Sequence, residues 1–159
     1  MGKEVPVGYS KAETYEHKAL VLKYLNRVIQ DLIARAEVHD DSKLEEPELS
    51  AFDKAARDYP LGTLTYGSPE YQESVRLLGP ALEHHYAVNR HHPQHFPDGV
   101  RGMNLVDLIE MICDWKASTF RQPGGNLLKS IHMNATPDKF NYTQELSQIF
   151  ENTADFLED

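Results

Sequence analysis

Residues 105–115 constrain the fold more than any other stretch of this chain. Their apolar side chains fall on nearly all sides of a helix, so that helix is expected to be central and buried. Yet at about 100° per residue, Asp107, Glu110 and Asp114 share an arc of about 60°. Three carboxylates on one strip of a buried helix repel one another and lose hydration. They need a cation, a proton or hydrogen bonds. The plain alternative is that the strip is the solvent face. Asp114 lies deepest in the apolar run and is the best ligand candidate. Glu110 is placed to orient a ligand or act on water. Asp107 stands near the helix start, where its charge also suits the helix dipole.

Imidazoles are concentrated as well. Four of the eight histidines form two adjacent pairs, His84 with His85 and His91 with His92. His39 and Asp40 form a doublet upstream, and His17 precedes it. Imidazole and carboxylate together suit a divalent or di-iron centre. A helix continued to residue 92 puts His84 and His91 on one face two turns apart, and likewise His85 and His92. That spacing suits two neighbouring metals, or one metal and a substrate phosphate. One member of each pair is expected to point inward, and an exposed charged strip is the alternative. Lys43 and Arg90 are candidates for a substrate anion, with an ordinary surface role as the alternative for each.

The chain has 159 residues, of which 40% are apolar, enough for one domain with a proper core. The pattern is helical and all-α: a bundle of about five to seven helices, with a core over residues 10–122 and a helical extension over 126–159. Ser10 and Glu13 read as a capping box opening a helix over residues 11–36. In that helix Leu22, Leu25, Val28, Ile29, Leu32 and Ile33 recur at helical spacing. A core role is expected for them, with a homodimer contact as the alternative. Further helices are expected to start near Pro47 and at Ser68, to kink at Gly79 and Pro80, to start again at Asn104, and to cover 143–157. Gly62 and Gly67 mark one loop, and Pro123 with the glycines after it another.

No apolar run is long enough for a membrane span, and the first ten residues lack a secretory pattern. One cysteine, Cys113, fits a reducing cytoplasm. The net charge of −9 with dispersed basic residues argues against duplex nucleic acid as a partner. A small anionic substrate is compatible with this charge if a bound metal supplies local positive charge.

The order His17, then His39 with Asp40, then paired histidines, then Asp114 resembles the HD-domain superfamily of metal-dependent phosphohydrolases. Residues 39–43 look like that superfamily's His-Asp-x-x-Lys form, and residues 113–118 like its final motif. Residues 39–43, 84–92 and 110–114 together also resemble a family of small bacterial and phage proteins with HD-like motifs. The resemblance covers residues 14–120. It implies an HD-like bundle in the bacterial or phage-host cytoplasm. It implies one or two divalent ions (Mn, Mg, Co, Zn or Fe) and a small phosphorylated substrate, a nucleotide among the choices. His17, His39, Asp40 and Asp114 would hold the first ion. His85 and one of His91 or His92 would match the additional histidines of its binuclear members, and His84 is a further candidate donor. Lys43, Glu110 and His91 would serve the chemistry, and Lys43, Arg90 and His92 the substrate. Two departures, the 22-residue step from His17 to His39 and Lys43 in place of a catalytic Glu, bring the chain nearer to the di-iron oxygenases of the same superfamily. A non-catalytic metal- or nucleotide-binding protein is a further alternative.

Overall fold

The computed structural model describes residues 8–60, 63–65, 67–121 and 124–158. The sequence readings that fall on residues 1–7, Gly62 and Pro123 lie outside the described residues. The protein is all-α: among the described residues there are six α-helices and no strand. The chain forms two compact units, Met1–Glu37 and Val38–Asp159. None of the helices is long and apolar enough to cross a membrane.

The described residues of the first unit form one helix, α1 (Tyr9–Val38), whose last residue belongs to the second unit. It starts two residues before the expected first residue, because the Gly8 carbonyl accepts from the Lys11 and Ala12 amides, leaving Ser10 inside the helix. No residue of α1 is buried. Leu22, Leu25, Ile29 and Ile33 are half exposed or more. A single helix has no second layer within its own unit to pack on.

The second unit holds α2 (Glu48–Asp58), α3 (Pro69–Val88), α4 (Leu105–Thr119), α5 (Leu127–Asn134) and α6 (Gln144–Phe156). The starts of α3 to α6 follow from their capping residues. Ser68 accepts the Tyr71 amide at the head of α3, with Pro69 in the first turn. Asn104 and Asp107 form a reciprocal capping box on α4, and Asn126 and Thr143 cap α5 and α6. Gly79 breaks helical geometry at φ 41° just before Pro80, which is the expected kink in α3.

The core is built by α4, α5 and α6: Met111, Ile112, Leu127, Ile131, Phe150 and Ala154, joined by Val100 and Tyr142. Trp115 stacks on Phe140 with ring centroids 6.0 Å apart. Helices α5 and α6 supply four of these eight core residues. The expectation that α4 is buried all round gives way to a one-sided helix. Met111, Ile112 and Asp107 are buried, whereas Leu105 is 76% exposed and Cys113 is also exposed. Gly125 fixes the link into α5: a Cβ there would stand 2.1 Å from the Thr119 carbonyl oxygen, so only glycine fits.

These positions give a stability contrast. Ile131→Ala should lower the unfolding free energy by about 2–5 kcal/mol through transfer and cavity costs. Phe156→Ala, at an 84% exposed site, should stay within about 0.5 kcal/mol. Urea denaturation of the two variants measures both.

Candidate metal centre

Helix α3 ends at Val88, earlier than the histidine spacing suggests. Asn89 takes extended angles (φ −103°, ψ 111°), and its side chain donates to the His85 carbonyl oxygen and to Ser42 Oγ. His92, which precedes Pro93, is extended too, as the proline ring demands. The chain reverses between these residues. His91 and His92 therefore return to His85 and do not lie two turns along the same helix. The His85 and His92 Nε2 atoms are 2.9 Å apart.

Asp40 lies at the middle of the cluster. It adopts the left-handed region, φ 62°, and its carbonyl accepts the Lys43 amide to open the 3₁₀ turn Asp41–Leu44. Aspartate tolerates that region better than most residues. Asp40 Oδ1 stands 3.4 Å from His85 Nε2 and 3.5 Å from His91 Nε2. Oδ2 is 2.6 Å from Lys43 Nζ and 3.7 Å from His39 Nε2. His39 Nε2 is also 3.6 Å from Asp114 Oδ1.

Four of the imidazoles are held from behind at Nδ1. Glu48, fully buried, takes His85 Nδ1 at 2.9 Å on Oε2 and His84 Nδ1 at 2.7 Å on Oε1, and accepts from Ser42 Oγ. Glu110 Oε1 takes His39 Nδ1 at 3.0 Å and His91 Nδ1 at 3.3 Å. An ionised carboxylate only accepts, so a proton sits on each Nδ1, and a ring neutral in that tautomer turns the lone pair of its Nε2 to the site. Carboxylates behind ligating histidines are the usual way of fixing ring orientation in metal sites.

Three overlapping donor groups result among the described residues, Asp40 with His85, His91 and His92, His39 with Asp40 and Asp114, and His39 with His91 and Glu110. Within each, the donor atoms all lie within 4.8 Å of one another. Donors about 2.1 Å from one ion stand about 3.0 Å apart at right angles and about 3.4 Å apart at tetrahedral angles. The 2.9, 3.4 and 3.5 Å separations in the first group match those edges. Asp40 Oδ1 and His91 Nε2 are buried without a hydrogen-bond partner. Leaving two such atoms unpaired is costly, and a cation between them removes the cost. The residues therefore fit a divalent ion.

The electrostatics are those of a coupled cluster. Hydrogen bonding to Asp114 and then Glu110 raises His39 to about 10. Burial, then neighbouring His91 and His85, lowers His92 to about 3, which keeps it neutral. Burial and Lys43 lower His85. Burial pushes Asp40, Glu48 and Asp114 upward, but Lys43, His84 and His39 respectively lead the interactions that bring them below the usual carboxylate range.

Not every candidate residue enters these groups. His17 lies exposed on α1, in the first unit. His84 turns to Glu48. Asp107 is fully buried but holds Arg90 in a two-pronged pair at 3.1 and 3.0 Å, besides capping α4. Glu110 and Asp114 are the inward part of the acidic strip, with 14% and 22% side-chain exposure, which rules out the solvent-face alternative for them. Glu48 escaped the sequence reading. Nothing in an ordinary amphipathic α2 marks which of its acids is buried.

Two outcomes follow. Glu48→Gln, which keeps size but loses the carboxylate behind His85, should weaken Mn or Zn binding by about 10–100-fold in calorimetry. The His39 value lies above its unfolded 6.5. In metal-free protein its stabilisation is therefore complete below pH 6.5 and is lost as pH rises through about 10. The melting-temperature gap between wild type and His39→Gln should accordingly shrink from pH 6 to pH 10, and a constant gap would contradict this reading.

No curated protein and no solved structure matches the chain. A family model covers residues 7–159, nearly the whole chain. The protein belongs to that family, a family of unknown function designated DUF5662.

Proposed function

We propose that this protein is a metal-dependent phosphohydrolase acting on a nucleotide or similar small phosphate ester. One observation carries this reading. Asp40 Oδ1 and His91 Nε2 are buried and unpartnered inside a donor group spaced like a coordination sphere. Two of the donors, His92 and Asp114, also line a cavity of about 220 Å³ in which a substrate can reach them. The order of the His39–Asp40 doublet and Asp114 adds the resemblance to HD-type hydrolases.

A bound divalent ion supplies a water of lowered pKa and neutralises charge on a phosphoryl group. The protein's own groups prepare for it. Glu48 and Glu110 keep protons on the Nδ1 atoms of His85, His39 and His91, so that each Nε2 faces inward. Lys43 keeps Asp40 ionised, and burial keeps His92 neutral. Lys43 and Glu110 thus act through other groups, as a counter-charge and a positioning residue.

A mixed-valence di-iron oxygenase is the second reading, favoured by Asp40 being shared by two of the three donor groups. Bound iron with an oxygen requirement would select it. Manganese or cobalt with phosphate release selects the hydrolase.

Asp40→Asn tolerates the left-handed backbone at this position and removes the charge. It should abolish metal retention and hydrolysis while the helical circular dichroism persists. Asp155→Ala, on the exposed face of α6, should alter neither. Elemental analysis and a phosphatase and phosphodiesterase screen with added Mn and Co read both. Full metal-dependent hydrolysis by Asp40→Asn would falsify the assignment.

A further inference from the structure

The cavity beside the donor groups is lined not only by His92 and Asp114 but also by Asn126, Lys129 and Ser130 of the α5 region, which carries no metal donor. Trp115 and Tyr86 add aromatic wall, and Ser118 adds a hydroxyl. The volume of about 220 Å³ equals about seven waters of bulk liquid. That is more than a phosphoryl group needs and less than the 300 Å³ or so at which drug-sized pockets begin.

The basic residues sort themselves. Lys43 is held on Asp40, and Arg90 is held on Asp107. Lys129 lines the cavity and makes no ion pair among the described residues, so it stands outside ion-pair distance of Asp114 and every other donor. A cation in the cavity but away from the donors meets a different part of the ligand from the part the donors hold.

We infer that the substrate is a short phosphate ester whose body carries a second anionic group, and that Lys129 is the substrate-binding residue that receives it. The phosphoryl group lies at the His92 and Asp114 side of the cavity. The hydroxylated or carboxylated body lies along Ser118 and Ser130 and against Trp115. This assignment rests on the hydrolase reading for the role of the phosphoryl group, and it narrows that reading to esters with a second anionic group.

The test uses two non-hydrolysable probes, 3-phosphonopropionate and ethylphosphonate, titrated calorimetrically into the Mn-loaded full chain. Wild type should bind the carboxylate-bearing probe about 10-fold more tightly, the value of one charge-assisted contact. Lys129→Gln should remove that gain and leave ethylphosphonate affinity unchanged, and Lys129→Arg should retain most of it. Equal affinity of the two probes for wild type overturns the proposal. So does an equal loss for both in Lys129→Gln, which would put Lys129 on the phosphoryl group itself. Turnover of phosphate esters, assayed on the same proteins, reports separately on the hydrolase reading. Discrimination without any hydrolysis upholds the pocket and removes the enzyme.

Discussion

The burial of the Asp40 carboxylate among imidazoles is the interaction on which the second unit's site depends. A charge taken out of water costs several kcal/mol unless paired and hydrogen-bonded. Lys43 meets one oxygen of Asp40 at 2.6 Å. The other oxygen faces His85 and His91 with no hydrogen bond at all. Stability alone would favour replacing such an oxygen by a packed apolar group. Its presence makes sense if a cation completes it.

The imidazoles are of use to a cation only because their orientation is fixed. Glu48 of α2 and Glu110 of α4 hold them from opposite elements, so the ring directions are set by two helices distant in sequence. The chain reversal that carries His91 and His92 is tied to α4 by Arg90, which grips Asp107 with two bonds and lies over the Phe96 ring at 4.9 Å. Asp107 in turn caps the helix that presents Glu110 and Asp114. One buried carboxylate thus couples the position of two donors to the start of the helix bearing a third. This places Asp107 in support of the site without any contact with an ion.

Much of the helical architecture was legible from periodicity and punctuation. Ser68, Asn104 and the Gly79–Pro80 kink are where local rules put them, because capping and proline sterics act over a few residues. The end of α3 was not legible. Residues 84–92 continue a helical pattern, and Asn89 breaks it by bonding to Ser42, a partner far away in sequence. The all-round burial expected of α4 failed for a related reason. An apolar residue such as Leu105 shows that burial would be favourable, but only packing decides whether another element covers it.

The sequence by itself determined that this chain is helical and that imidazoles and carboxylates gather within its apolar pattern, with an exposed charged strip as the alternative to a site. Those properties reside in local periodicity and in the cost of buried charge. Only the tertiary structure decided which acids do which work: Asp107 on Arg90, Glu48 and Glu110 behind the rings, and Asp40 and Asp114 facing the donors. The reason is geometric. A carboxylate becomes a ligand, a cap or a ring-holder according to what lies within about 3 Å of it, and in this fold those neighbours come mostly from other helices.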